Sequence, residues 1–231
     1  MCNRYETPRP EDIVRHFHLQ LSLDVPPSYP PAIGPRNPGP YVLSDRLVVG
    51  QWALLPDKNP DRIPRGWNGK PISTNNCRME GMTKKSPTFR APWSRGQRCL
   101  IPAVSFDEPY WGSASGKNIW WRFRRADGSP WALAGLYNDW IDPEAGEVVH
   151  SYTMVTTNAD THPLMRLMHK HDPKAPDDQQ DKRAVVAIER ENWAVWLSGT
   201  PEQALALIEP PRLDVIAHAP ADSAVTEKLP L

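Results

Sequence analysis

The chain of 231 residues has little cysteine, no net charge and no long apolar run. A helical membrane span needs roughly 20 consecutive apolar residues; nothing in the sequence approaches that, and no membrane partner is expected. Cysteine occurs only as Cys2, Cys77 and Cys99. The odd number, with Arg4, Glu6, Arg9, Glu11 and Asp12 interrupting any apolar leader, argues against a disulfide framework and fits a cytoplasmic, reducing setting. Cys-x-x-Cys spacing is absent, and the pairs His16/His18 and His169/His171 are each too isolated to complete a four-ligand zinc site. No metal and no cofactor is therefore expected. No internal repeat is visible, and strands do not alternate with helices as a parallel βαβ sheet requires.

Apolar residues nevertheless make up 39% of the chain, and tryptophan occurs ten times, which suits a real core and not a disordered chain. The 27 prolines, about twice the usual ~5%, argue for long ordered loops between short elements. Zero net charge hides an asymmetry: residues 1 to 135 hold 19 basic and 11 acidic side chains, residues 136 to 231 hold 8 and 16. From Lys58 to Arg98, ten basic residues are set against only Asp61 and Glu80, with Trp67 and Trp93 among them. Cations interleaved with aromatics suit a single-stranded nucleic acid, whose phosphates meet the cations while unpaired bases stack on the rings. A solvated basic face over two core tryptophans has the same composition.

Acidic residues in a first turn and Ile13, Val14 and Phe17 at helical spacing predict a helix over Glu11 to Gln20. Residues 25 to 40, with seven prolines and two glycines, read as an extended loop. Strands are expected at Arg46 to Pro56, Arg98 to Phe106, Val148 to Thr157 and Arg183 to Ile188. Asn118 to Arg125 and Trp131 to Tyr137 flank Asp127-Gly128 and predict a hairpin. A short helix is expected near Leu164 to His169, and another from Arg190 to Ile208. The expectation is one α+β domain over residues 1 to 231, β-rich, with an antiparallel sheet or open barrel core, a few short helices and a peripheral tail from about residue 210.

Cys2 is the most informative single residue. Once Met1 is removed, which a small second side chain permits, Cys2 carries an α-amine and a thiol on one residue. These titrate near roughly 8 and roughly 8.5, so both are partly deprotonated at neutral pH. Such a 1,2-aminothiol attacks an aldehyde twice: the amine forms a Schiff base, and the thiol closes a five-membered thiazolidine. Taken alone, Cys2 reads as an incidental cysteine near the start of a chain.

A set of ordered motifs surrounds it. Met1-Cys2-Asn3-Arg4, Gln51-Trp52-Ala53-Leu54-Leu55-Pro56, Asn76-Cys77-Arg78-Met79-Glu80, Phe89-Arg90, and Arg98-Cys99-Leu100-Ile101-Pro102-Ala103 followed by Phe106-Asp107-Glu108 come in sequence. Ala134-Gly135-Leu136, Thr156-Thr157 and His169 follow. In this order they resemble the SOS response-associated peptidase family, whose members crosslink covalently to abasic sites in single-stranded DNA. The chain departs from that pattern in having Asn3 where a glycine is usual, Pro109 where a tryptophan follows the glutamate, and no tryptophan at Asp57-Lys58. A polar insertion follows His169, after which Arg183 stands in for the motif arginine.

The resemblance implies a single-domain, monomeric protein whose partner is single-stranded DNA containing abasic sites. By it, Cys2 is the nucleophile, Asn76 holds the Cys2 amine, Glu108 assists ring opening and Schiff-base formation, and His169 handles the proton at the ring oxygen. Arg4, Trp52, Arg78, Arg90, Thr157 and Arg183 would contact DNA, joined by Trp67 of the basic stretch. It also implies that the chain releases its own Met1, although ordinary aminopeptidase removal would give the same product. Without the motifs, Glu108 reads as a surface carboxylate and His169 as a helix-end imidazole. Two other readings of the residues stand beside this one: a cysteine peptidase or amidohydrolase using Cys2 with His169 as base, and a non-covalent single-stranded nucleic-acid binder in which Cys2 is idle.

Overall fold

Side-chain alternation along three apolar strands organises the molecule. In the computed structural model, which describes residues 2–19, 28–113 and 116–230, these strands are β6 (Arg98–Ala103), β9 (Trp131–Ile141) and β10 (Val148–Asn158). Cys99, Ile101, Trp131, Leu133, Tyr152 and Met154 face one core, whereas Leu100, Ala132, Ala134, Leu136 and Val155 face a second. Successive side chains on a strand point to opposite sides, so strands with consecutive apolar residues need cover on both. Further strands β3 (Pro38–Val42) and β4 (Leu47–Trp52) complete a ring in the order β10, β4, β3, β6, β9, and β9 pairs back onto β10. Of the two expected cores, antiparallel sheet or open barrel, the barrel is present, and it is closed by hydrogen bonding instead of open. Most pairings are antiparallel, including that of β11 (Arg183–Val185) with β10, but β10 runs parallel to β4 and to the three-residue β5 (Asn76–Arg78). Gly135 on β9 is required by close approach: a Cβ there would lie 2.8 Å from Cys99 Sγ and 3.0 Å from Thr153 O.

A second, five-stranded sheet packs on the first core. It contains β1 (Tyr5–Glu6), β2 (Ala32–Ile33), β7 (Ser105–Tyr110), β8 (Ile119–Arg125) and β12 (Ile216–Pro220), in the order β12, β8, β7, β1, β2. The segment beyond residue 210 therefore adds an edge strand, with Ile216 to Pro220 paired along β8. Against the outer side of the ring lie α1 (Pro10–Phe17), α2 (Pro87–Ser94), α3 (Trp193–Ser198) and α4 (Pro201–Leu205), burying Ile13, Phe17, Trp93, Trp196 and Ala204. Each large apolar side chain removed from water contributes ~1.5–3 kcal/mol before conformational entropy is subtracted. No helix among the described residues is long and apolar enough to cross a membrane.

Several local expectations are corrected. The Asp127-Gly128 turn forms, with Gly128 at φ 75 and its N–H donating to Arg125 O at 3.2 Å, yet β8 and β9 do not pair and instead enter different sheets. Turn chemistry reverses the chain but does not choose the partner; β9 is buried on both faces and takes β6 and β10 as neighbours. The segment from Arg98 to Phe106 likewise divides at Val104, whose N–H donates to Glu6 O at 2.7 Å, into β6 and β7. The helix expected from Arg190 to Ile208 breaks at Gly199, where a Cβ would lie 2.5 Å from Val195 O. Thr200, Pro201 and Gln203 then start α4 with a capping box. The proline-rich loop contains β2 and β3, and its residues 25–27 lie outside the described residues. The first helix ends at Phe17 because His18 turns left-handed at φ 54, and the helix near 164–169 is one 3-10 turn, Met165–Leu167.

Candidate active site

The chain after Met1, which itself lies outside the described residues, runs along β7. Tyr5 and Glu6 pair with Phe106 and Ser105, and Asp107 N–H extends the contact by donating to Arg4 O at 3.1 Å. Alternation sends Asp107 and Glu108 to opposite faces of β7. The Asp107 carboxylate is gripped by Arg122 at 2.8 and 3.0 Å, and Arg122 also pairs with Glu6 at 2.9 Å. Glu108 is buried, 1% exposed, and its Oε2 lies 3.1 Å from His169 Nε2. It is not the surface carboxylate that an isolated glutamate suggests.

Two further segments complete the cluster. Parallel pairing of β5 with Met154 to Thr156 of β10 carries Asn76 to the Cys2 main chain, where its Nδ2 donates to Cys2 O at 2.7 Å. Asn75 Nδ2 donates to the same carbonyl at 3.3 Å and to Asn3 Oδ1 at 3.2 Å. Asn76 Oδ1 is buried without a partner among the described residues, an acceptor whose desolvation costs ~1–3 kcal/mol when unmet. His169 arrives on a loop whose N–H donates to Pro109 O at 2.6 Å, beside a bridge between Tyr110 and Met168. Proline at 109 has no N–H to give, but its carbonyl anchors the loop. The four residues expected to carry chemistry, Cys2, Asn76, Glu108 and His169, are thus brought together from four separate segments.

The Cys2 side chain is fully buried, and its thiol donates to Arg4 O at 3.3 Å. Burial pushes the thiol well above its ordinary range, and the Glu108 carboxylate adds to the rise. A raised value leaves less thiolate at any given pH, and thiolate is the reactive form. Each unit removes about a factor of ten of thiolate, so Cys2 is expected to react with iodoacetamide at least ~10-fold more slowly than an N-terminal cysteine in a short peptide at neutral pH. The rate should climb as pH rises into the alkaline range, a profile measurable by peptide mass spectrometry. Wild-type alkylation as fast as the peptide's would contradict the burial.

A cavity of about 830 Å³ opens beside His169, lined by Tyr110, Trp111, Arg166, Lys170, His171 and Lys182 among others. Trp111 is 38% exposed and Lys170 Nζ sits over its ring, 5.5 Å from the centroid. Neither residue is marked by the motifs; the available signal is an aromatic at Trp111, three positions after Glu108. Among the described residues no cluster of His, Cys, Asp and Glu is arranged to hold a metal ion.

Comparison with known proteins shows the family. The model of the SOS response associated peptidase (SRAP) family matches residues 1–228. The chain belongs to the SRAP family. It is 27% identical over 200 residues to the abasic site processing protein HMCES of Xenopus tropicalis, covering 79% of this chain and 54% of that protein. It is 25% identical over 206 residues to the Gallus gallus protein of the same name, covering 77% and 57%. The chain thus spans about half the length of the curated relatives it matches. Among solved structures, one from Bordetella bronchiseptica superposes with TM-score 0.81 at 29% identity, covering 96% of this chain and all of that one. Another from Bacteroides thetaiotaomicron gives 0.75 at 18% identity and shares the fold.

Within this SRAP fold the outer residues divide. Arg4 is 57% exposed, with Asp107 at 3.8 Å. Arg90 is exposed on α2. Trp67 is fully exposed beside a cavity of about 800 Å³ that also involves Lys58, Arg65, Ile72 and several prolines. Trp52 is buried instead: its Nε1 donates to Asn75 O at 2.8 Å and its ring meets Tyr5 edge-on at 5.1 Å. It therefore supports the Asn75-Asn76 segment from within. Thr157 and Arg183 are buried as well. Arg183 is held by Glu80 at 2.9 Å and by Asp181, and Asp181 also binds the half-exposed Arg78 at 2.8 Å.

The basic stretch from Lys58 to Arg98 is accordingly no bare patch. Arg62 pairs with Asp142 and Glu147, Arg65 with Asp61, Arg78 with Asp181 and Arg95 with Asp57. Arg98 is buried against the carbonyls of Trp196 and Gly199. Of these, Arg62 and Arg78 pair across the two halves of the chain, whereas Arg65 and Arg95 find their carboxylates within the first half.

Proposed function

We propose that this SRAP-family chain captures abasic sites in single-stranded DNA as a thiazolidine through Cys2 after loss of Met1. The observation that carries the reading is the convergence of Cys2, Asn76, Glu108 and His169, with the Cys2 carbonyl held by Asn76 and His169 Nε2 held 3.1 Å from Glu108. Curated relatives bear the name abasic site processing protein, which points to the same substrate.

Hydrolysis of the Met1–Cys2 bond frees the α-amine, and the Asn76 amide, whose Nδ2 already holds the Cys2 carbonyl, offers its unmet Oδ1 as an acceptor for that amine. The lesion sugar is mostly a closed hemiacetal. His169 and Glu108 move a proton between the sugar oxygens so that the ring opens and C1′ becomes an aldehyde. The amine adds to C1′, water leaves and an imine forms. The Cys2 sulfur then adds to the imine carbon while its proton passes to the imine nitrogen, closing the ring with one water released in all. A neutral, buried thiol matches this order, because the amine acts first and the sulfur acts only once C1′ is tethered beside it.

The direct experiment incubates the protein with uracil-excised single-stranded oligonucleotide and separates products on a denaturing gel. A slow-migrating species that survives heat without borohydride supports the proposal; its absence overturns it. Peptide turnover without DNA would favour the peptidase reading instead.

Asp181 offers a second measurement. Its carboxylate occupies Arg78 and Arg183 much as a phosphate would. Asp181→Asn is expected to strengthen binding of undamaged single-stranded DNA by about 3- to 10-fold at low salt and to steepen the dependence of log affinity on log salt by up to ~0.7, the increment of one phosphate contact. Fluorescence anisotropy across a salt series measures both.

A further inference from the structure

His169 must present its imidazole to Glu108 from a loop, and that loop has an unusual anchor. His169 itself is left-handed, with φ 62, a conformation side chains with a Cβ rarely adopt. It follows a single 3-10 turn, Met165–Leu167, too short to fix it. On one side the loop is tied to β7 by His169 N–H on Pro109 O and by the Tyr110–Met168 bridge. On the other, Lys182 Nζ donates to Met168 O at 2.9 Å, His169 O at 2.9 Å and Lys170 O at 3.4 Å. All three ammonium hydrogens meet consecutive main-chain carbonyls centred on His169.

We propose that Lys182 is a positioning residue for His169: its ammonium clamps the three carbonyls and so sets the direction in which the imidazole meets Glu108 and the sugar oxygens. This deepens the crosslinking reading and rests on it.

The lysine is itself well placed for this role. It is buried, 6% exposed, so its charge has surrendered water and is compensated chiefly by these carbonyls. Its main chain is also fixed, since Lys182 N–H donates to Asp160 Oδ1 at 2.7 Å and its carbonyl accepts from Ala159 N–H at 2.8 Å. Burial lowers the affinity of the ammonium for its proton, and the Asp160 carboxylate acts in the opposite direction. Lys182 follows the polar insertion directly, so the far end of that insertion is stitched back to its beginning at His169. A flexible point charge with three rotatable donors suits convergent carbonyls better than a planar guanidinium does.

A misplacement of about 1 Å at a reacting group can cost ~100-fold in rate. Lys182→Met is therefore expected to slow crosslinking ~10- to 100-fold, measured well below its melting temperature. Affinity for an oligonucleotide carrying a tetrahydrofuran analogue of the lesion should stay within ~2-fold, since binding is dominated by phosphate contacts. Lys182→Gln and Lys182→Arg, which keep N–H donors, should recover part of the rate, and Lys174→Met on the exposed insertion should match wild type. Nitrogen-15 correlation spectra of the His169 ring should shift in Lys182→Met and not in Lys174→Met.

If Lys182→Met crosslinks at the wild-type rate with unshifted His169 resonances, the proposal is overturned. If Lys182→Met does not fold, an undiminished rate in both Lys182→Gln and Lys182→Arg with unshifted resonances overturns it equally. Should wild type itself form no crosslink, the crosslinking reading fails, while the ring spectra still decide whether Lys182 orients His169.

Discussion

Cys2→Ala, with Met1 removed, is expected to leave no heat-stable DNA adduct at all, while a Schiff base remains trappable by borohydride. The distinction follows from the two nucleophiles on one residue. The α-amine at position 2 is retained in such a variant, so imine formation at C1′ persists; only the sulfur that closes the ring is missing, and the imine hydrolyses during denaturation. Cys2→Ser should behave similarly, since a hydroxyl closes a far less stable ring. Binding to undamaged single strands should be within ~2-fold of wild type, because the phosphate contacts that dominate it lie elsewhere. Denaturing gels run with and without borohydride, beside anisotropy titrations, measure all three quantities. A heat-stable adduct in Cys2→Ala without reductant would sink the thiazolidine mechanism.

Glu108→Gln should lower the crosslinking rate by ~100- to 10,000-fold, the range associated with a positioned general acid or base. The change is nearly isosteric, so the buried site keeps its volume while losing the carboxylate 3.1 Å from His169 Nε2. The same substitution should make Cys2 easier to alkylate. Burial is the main cause of the raised thiol value and the negative charge of Glu108 the next; removing that charge brings the value down, increasing thiolate at fixed pH. Slower crosslinking together with faster alkylation is a pairing that general loosening of the fold would not produce with undiminished thermal stability. Single-turnover gel assays and iodoacetamide labelling on the same preparation give both rates, and a crosslinking rate within ~3-fold of wild type would remove Glu108 from the chemistry.

Much of the local structure is legible in the sequence because its causes are local. Ile13 and Phe17 mark one helical face, and the consecutive apolar residues at Trp131 to Ala134 and at Met154-Val155 mark strands with two buried sides. Even the break that divides the expected long helix is written in the run Gly199-Thr200-Pro201 with Gln203 behind it. The Asp127-Gly128 turn shows where local reasoning stops. Its geometry is as expected, but pairing depends on which neighbours can cover both faces of β9, a property of the whole ring.

The candidate site divides in the same way. Ordered motifs mark Cys2, Asn76, Glu108 and His169, residue types whose chemistry can be named without coordinates. The same motifs mark Trp52, Thr157 and Arg183 as outward contacts, although all three are buried. Nothing in the motifs marks Lys182 or Asp181, since an aspartate at the end of a polar insertion and a lysine just after it look like solvated charges. Their roles depend on the insertion folding back, which brings Lys182 to the His169 carbonyls and Asp181 to Arg78.

The amino-acid sequence by itself determined the β-rich class, the cysteine at position 2 and the opposing charge of the two halves. Tertiary structure alone decided that the barrel closes through β9 and β10, that Glu108 is buried against His169, and that many of the basic stretch's charges are already paired. The reason is physical: propensity and bond chemistry act over a few residues, whereas burial and electrostatics depend on distances between residues that are far apart along the chain.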